Sequence, residues 1–143
     1  MILALEQCIR EMQIDDYNEF YELWSRTPGI GLSSVDTYDS IEKFLLKNKE
    51  LCFICKGADK IVGTILCGHD GRRGYIYHVA VDMEYRGKGI GRALVEKSLK
   101  RLKEERIDKC HLFVFADNEL GNTFWSSTGW IKREDIFVYS KSI

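Results

Sequence analysis

Proline is nearly absent from this sequence: Pro28 is the single one in 143 residues. With no low-complexity tract and no fixed-period repeat, that excludes a proline-rich linker, a collagen-like chain and a solenoid. No run of about 18 apolar residues occurs, so no membrane-spanning helix is expected. The first ten residues, MILALEQCIR, have neither a basic start nor a small-residue cleavage site after a long apolar stretch, and do not read as a signal peptide. A basic surplus is missing too. The 21 Lys and Arg against 22 Asp and Glu leave a net charge of −1, which argues against a nucleic-acid binder that neutralises many phosphates. Cysteine is present but unorganised. Five residues, an odd number without framework spacing, point to a reducing, cytoplasmic setting. Cys52 and Cys55 form a CxxC inside a strand-like run, where a period of two aims them at opposite faces, so buried thiols are expected rather than a metal or redox pair. Cys67 with His69, and Cys110 with His111, lack paired zinc-ligand spacing.

What remains is ordinary globular material, 45% hydrophobic and 30% charged, enough for one domain over residues 1–143. LEQCIREMQ (5–13) reads as a short strand. In the next segment Ile14, Tyr17, Phe20, Tyr21 and Trp24 recur at helical spacing after Asp15 or Asp16 as cap, and Pro28-Gly29 stops the helix. A loop of small and polar residues follows, then a second helix over 40–48 capped by Asp39 or Ser40. ELCFICKG and KIVGTILCGHD read as a hairpin, and YIYHVAV (75–81) as a central strand. Over 92–106, a helix buries Ile90, Leu94, Val95, Ser98, Leu99 and Leu102 while Arg92, Glu96, Lys97, Lys100 and Lys103 fall elsewhere. KCHLFVFA (109–116) is a further strand, 117–129 a short helix, and WIKRE with IFVYSKS a closing strand pair. Consecutive strands favour antiparallel hairpins and the strand–helix–strand of 75–115 a parallel crossover. The fold class is α+β: a central mixed β-sheet flanked by helices.

One stretch stands apart from this pattern. In VDMEYRGKGIGRAL (81–94), Gly87, Gly89 and Gly91 alternate with Arg86, Lys88 and Arg92 between a buried strand and a helix without a side-chain cap. Such a turn presents free N–H groups at the positive end of a helix, with room for a ligand near the backbone. The reading is a cradle for a di- or polyphosphate. A Walker loop does not fit, since no Ser or Thr follows Lys88. A dinucleotide fingerprint from Gly87 fails because its sixth position is Arg92.

With these residues in view, the chain resembles the GNAT superfamily of N-acetyltransferases. The family pattern Arg/Gln-x-x-Gly-x-Gly/Ala after an Ala-Val strand end is met by Val79-Ala80-Val81 and Arg86-Gly87-Lys88-Gly89-Ile90-Gly91, with Met83 where the family has proline. A second family pattern is met by Asn118, Gly121, Phe124, Trp125, Gly129 and Trp130. The resemblance implies a partly splayed sheet of the acyl-CoA N-acyltransferase kind and acetyl-CoA as cosubstrate. It implies a pyrophosphate held by backbone amides from Arg86 to Gly91 with Arg92 nearby, and a pantetheine arm paired, strand-like, at Val79 and Val81. Asn118 and Asn122 fall at positions for the arm, Asn118 being equally a helix cap. The implied partners are acetyl-CoA and an amine acceptor, of a small molecule or a protein, with no nucleic acid and no membrane.

The reaction needs a base for the amine and a donor for the leaving thiolate. The family's donor tyrosine falls on Trp125, whose indole N–H is no acid in this range. Trp125 then walls the acetyl pocket or is a core aromatic. Tyr77 and Tyr139 are the substitute donors, unless oriented amides suffice. The glutamate that some members use as base is replaced by Phe113, and His78 is the leading candidate, ahead of His111 and Asp70. Ser33, Ser34, Asp36 and Tyr38 are candidates to receive the acceptor. The expected function is acetyl transfer to a primary amine in a ternary complex. The alternative is a degenerate module that binds acetyl-CoA without catalysis. A strand at IFVYSKS is a candidate for pairing across a homodimer axis.

Overall fold

A computed structural model describes residues 8–143; the beginning of the expected first strand and most of the signal-peptide reading lie outside them. The chain falls into two compact units, the first ending at Phe113 and the second running Val114–Ile143.

The first unit is a five-stranded mixed sheet. The strands are β1 (Ile9–Glu11), β2 (Phe53–Gly57), β3 (Lys60–His69), β4 (Gly74–Val81) and β5 (Cys110–Leu112), in that spatial order. Neighbours from β1 to β4 pair antiparallel, and β4 pairs parallel with β5 after the crossover helix. The mixed sheet expected from the order of elements is therefore present. Two helices, α1 (Tyr17–Ser25) and α2 (Tyr38–Lys47), precede β2, and α3 (Ile90–Glu104) connects β4 to β5.

Alternation along β3 sorts the helices onto opposite faces. Thr64 meets Trp24 of α1, while its neighbour Gly63 faces Ile90 and Leu94 of α3. A Cβ at Gly63 would lie 2.8 Å from Ile90 Cγ2, so only glycine lets α3 come this close. On the α1 face, Phe20, Leu23, Trp24 and Ile41 pack with Cys52, Ile54, Ile61, Leu66 and Ala80. Each fully buried Phe, Leu or Ile side chain among them contributes roughly 1.5–3 kcal/mol. Cys52 lies in this cluster and Cys55 on the α3 side, next to Gly63, as the strand period requires. Burial pushes the Cys52 thiol up to about 12 and the Cys55 thiol up to about 11.

The helix caps differ from expectation in detail. Thr37, not Asp39 or Ser40, caps α2, its Oγ1 accepting from Ser40 N at 3.2 Å. Ahead of α1, a 3-10 turn at Ile14–Asp16 carries the cap instead: Asp16 Oδ2 accepts from Gln13 N at 3.1 Å and the carboxylate also holds Arg10. The apolar stripe of α3 is as read for Ile90, Leu94, Val95, Ser98 and Leu102, which are buried, whereas Leu99 is only half-buried.

The second unit contains α4 (Glu119–Ser127) and an extended tail. β5 stops at Leu112, four residues short of the strand expected through 116. The strand pair expected at 130–142 does not form either, so the edge strand offered to a second copy is no strand in this structure. Ile131, Phe137 and Tyr139 are exposed. Strand propensity takes effect only against a partner ladder. This unit offers none: at its middle Arg133 turns back on Asp135 through two 2.8 Å contacts.

Candidate active site

The cradle is built by what precedes it. Asp82, at the end of β4, is 4% exposed and caps a 3-10 turn at Met83–Tyr85, its Oδ1 accepting from Glu84 N at 2.9 Å. Its backbone N–H donates to Val62 O at 2.8 Å, which ties the turn to β3. The Glu84 N–H and the Arg26 guanidinium, 3.1 Å away, hold the Asp82 carboxyl below the usual carboxylate range against its burial, with Lys60 adding to the effect. From this anchored turn the chain enters Gly87 and Gly89 at φ +77° and +85°, left-handed values that suit glycine, and then α3. Gly89 is the cap residue of α3 and supplies no side chain. No backbone N–H from Gly87 to Arg92 meets a hydrogen-bond acceptor among the described residues. Arg86, Gly87, Lys88 and Gly89 are exposed, whereas Ile90 and Gly91 are buried and root the loop in the core. Lys88 Nζ sits 5.0 Å from the centre of the Tyr85 ring, and Arg92 pairs with Glu96 at 3.2 Å.

The strand that leads into the glycine turn loses its β5 partner along its second half. Pairing of β4 with β5 ends at Ile76–Leu112, so the edge of β4 from Tyr77 through Val79, Ala80 and Val81 has no β5 partner. The Val81 carbonyl is taken by Arg86 Nε at 3.3 Å, so a ligand using that oxygen displaces Arg86.

A bulge in the β3–β4 ladder shapes the other end. Thr64 pairs with Ala80 and Leu66 with Tyr77, so Ile65 alone opposes His78 and Val79. His78 takes φ +48°, a left-handed value uncommon for a residue with a Cβ. Broken alternation turns two successive side chains toward the same helical layer: Tyr77 meets Phe44 of α2 at 6.2 Å between ring centres, and His78 meets Trp24 of α1 at 4.7 Å. Burial raises the Tyr77 phenol above its ordinary value, so it stays protonated at neutral pH.

His78 Nε2 lies 2.7 Å from Asp36 Oδ1. Asp36, in the 3-10 turn Ser34–Asp36, is 3% exposed. Asp36, one of the candidates to receive the acceptor, is buried against His78. The partnership spans 42 residues and no local pattern announces it. Ser33, Ser34 and Tyr38 are exposed around it. Trp24 and Thr64 complete the network and were absent from the sequence-based list. Trp24 Nε1 donates to Thr64 Oγ1 at 2.9 Å, and Thr64 Oγ1 donates to the His78 carbonyl at 3.0 Å.

The other candidates have local duties. Asp70 Oδ1 accepts from Arg72 N and Arg73 N, both at 2.8 Å, as a turn residue does. His111 lies against Tyr75. In the second unit Asn118 caps α4, its Oδ1 accepting from Gly121 N at 3.0 Å, and Asn122 Nδ2 donates to the Phe115 and Asn118 carbonyls. Trp125 packs between Phe124 and Trp130, at 4.9 and 5.1 Å between ring centres. Tyr139 is exposed in the tail.

Comparison with known proteins agrees with this geometry. The model of the Acetyltransferase (GNAT) family matches residues 17–130. An acetyltransferase of Photorhabdus laumondii is 35% identical over 111 residues, 78% of this chain and 77% of that protein. One from Sodalis glossinidius is 29% identical over 135 residues, 94% of each. Among solved structures, the PaiA N-acetyltransferase of Thermoplasma acidophilum, in complex with coenzyme A, has the same fold, with a TM-score of 0.76 at 21% identity over 90% of this chain and 91% of that one.

Proposed function

The chain belongs to the GNAT acetyltransferase family, and from that membership we propose that it moves an acetyl group from acetyl-CoA to a primary amine by direct attack in a ternary complex. The observation that carries this reading is the row of unpartnered N–H groups from Gly87 to Arg92 at the start of a 15-residue helix, beside a strand edge left open from Tyr77 to Val81. Amides aimed from a helix N-terminus suit a diphosphate. An open strand edge suits the amide-bearing arm that follows it in coenzyme A. Arg86, Lys88 and Arg92 supply local positive charge in a chain whose net charge is −1. The reading takes 1–143 as one catalytic domain, supported by a family match that runs through both compact units. It includes a cytoplasmic setting, which the free Cys52, Cys55, Cys67 and Cys110 support.

In the reaction the amine nitrogen attacks the thioester carbonyl carbon, the C–S bond breaks, and the thiolate departs with the electron pair and takes a proton. An alkylammonium has a pKa of about 10.4, so a base must first free the nitrogen lone pair. Tyr77, a phenol and so protonated at neutral pH, next to the bulge and partly exposed, is the proposed proton donor to the thiolate. Tyr77→Phe is expected to lower kcat by about tenfold or more with the acetyl-CoA Kd unchanged, read by thiol release and calorimetry. Asn118, Asn122 and Trp125 retain the ligand roles the resemblance implies as part of this proposal.

Calorimetry and thermal shift with acetyl-CoA, ATP and NAD test the cradle. Stabilisation by acetyl-CoA alone is expected; stabilisation by ATP or NAD instead sinks the reading. A second reading is favoured by Trp125, where the family's proton-donating tyrosine stands: a module that binds acetyl-CoA and does not turn it over. Binding without thiol release across a broad amine panel selects it.

A further inference from the structure

We propose that Asp36 and His78 form a working couple, in which Asp36 holds the imidazole with its hydrogen on Nε2 and His78 Nδ1 takes the proton from the acceptor amine. The inference rests on the acetyl-transfer reading and names the base that reading leaves open. His78 would touch the substrate and is the catalytic residue; Asp36 acts through it and is a positioning residue.

Three observations converge on the pair. The first is the fixing of Asp36. Its N–H donates to Ser33 O at 3.0 Å, its carbonyl accepts from the Tyr17 hydroxyl at 2.6 Å, and its Oδ2 accepts from Ser33 N at 2.9 Å. Oδ1 is left for His78 Nε2 at 2.7 Å. An ionised carboxylate only accepts, so the imidazole hydrogen of a neutral ring sits on Nε2 and the lone pair on Nδ1. No described residue hydrogen-bonds Nδ1.

The second observation is the strain. A φ of +48° at a histidine costs about 1 kcal/mol, and such outliers are kept where the surroundings over-determine them. Here the Thr64 hydroxyl grips the His78 carbonyl and Trp24 grips Thr64. An ordinary residue in regular alternation would carry none of this apparatus. Its effect is to turn the imidazole against Trp24 and onto Asp36.

The third is place. His78 lies on the β4 stretch without a β5 partner, where the thioester arm is proposed to run, and bonds the turn Ser34–Asp36, in which Val35, with Tyr38 just beyond, is exposed for an acceptor. Tyr17, from α1, donates to the Asp36 carbonyl, Tyr38, from α2, packs on Tyr17, and Tyr77 precedes His78 on β4. Burial raises the Tyr17 and Tyr77 phenols, so both stay neutral where an imidazole titrates. Two protons leave the ammonium: one moves to Nδ1 before the freed nitrogen attacks the thioester carbonyl, and passes from the imidazolium held by Asp36 to solvent; the other leaves the nitrogen as the C–S bond breaks and replaces the proton that Tyr77 gives the thiolate.

The test uses the full chain. Long-range proton–nitrogen spectra of its three histidines, with His78→Gln for assignment, read the tautomer directly. The expected form for His78 is Nε2–H in the wild type, lost as a single species in Asp36→Asn. An Nδ1–H wild type overturns the proposal. Kinetics at saturating acetyl-CoA with butylamine, phenethylamine and a lysine peptide give the second readout. His78→Gly tolerates φ +48° and so keeps the bulge. It is expected to lose about a hundredfold in kcat/KM for the amine, to lose the acid limb of the pH profile, to keep the acetyl-CoA Kd within about twofold and to regain turnover with free imidazole. Asp36→Asn is expected to lower kcat with little change in that Kd. Full kcat in His78→Gly overturns the couple, as does acetyl-CoA binding without turnover of any of the three amines. Failure of the wild type to bind acetyl-CoA overturns the underlying function as well, so the two failures are told apart by calorimetry.

Discussion

Thr64 shows how much one hydroxyl can organise. It is wholly buried, takes a hydrogen from the Trp24 indole and gives its own to the His78 carbonyl. Its removal leaves the indole N–H without a partner in a closed core, a loss that costs about 1–3 kcal/mol. Thr64→Val, nearly equal in volume, is therefore expected to destabilise by that amount in urea denaturation. An unchanged midpoint would mean that the indole finds another acceptor. The sequence offers no sign of this role, because a threonine at alternate spacing in an apolar strand reads as ordinary strand material. His78 and Asp36 were both legible as polar residues worth testing, one for the base and one for the acceptor. Their pairing was not, since hydrogen-bonding across 42 residues depends on where α1 delivers the loop after it.

Among the elements, α3 carries most of the proposed cofactor chemistry, and its position is set from below. Gly63 on β3 admits Ile90, the first residue of the helix, at a distance no side chain allows. Ile90 is β-branched and buried, so it has few rotamers into which to retreat. Gly63→Ala is expected to cost about 1–3 kcal/mol by overpacking and to raise the acetyl-CoA Kd, although residue 63 offers the ligand no group. Denaturation and calorimetry on the same preparation check both effects. Wild-type affinity together with lost stability would separate the core contact from the cradle. The stripe of α3 was readable because side chains three and four apart share a face whatever surrounds them. The length of β5 was not, because KCHLFVFA is apolar and β-prone throughout, yet its ladder with β4 ends at Leu112.

For the molecule as a whole, the junction between sheet and cradle responds to acid. Asp82 titrates below the ordinary carboxylate range in the folded chain, chiefly through the Glu84 N–H and against its burial, with Arg26 next. The unfolded chain holds that proton more tightly, so the stability Asp82 adds is whole above about pH 4 and is lost as pH falls through the lower folded value. Asp82→Asn is expected to lower Tm at pH 7, with the gap to wild type closing as pH drops from about 5 toward 2. A gap that persists at the acid end would assign the loss to packing rather than to charge. Arg26 and Lys60 are partly exposed, so added salt should reduce their share.

The sequence by itself determined what depends on near neighbours along the chain. The glycine-spaced turn, the helix it opens, the alternating strands and the antiparallel-then-parallel order all follow from spacings of a few residues, where backbone geometry alone selects the structure. Turn residues such as Asp70, and Asn118 as a cap, are of the same kind. The tertiary structure decided what needs a distant partner: the bulge that turns Tyr77 and His78 to one layer, the end of β4–β5 pairing at Ile76–Leu112, and the meeting of Asp36 with His78. It also formed no strand over 130–142, although WIKRE and IFVYSKS read as a strand pair. Propensity is a local preference of φ and ψ, whereas a strand or a catalytic pair exists only when packing brings its other half within hydrogen-bonding distance.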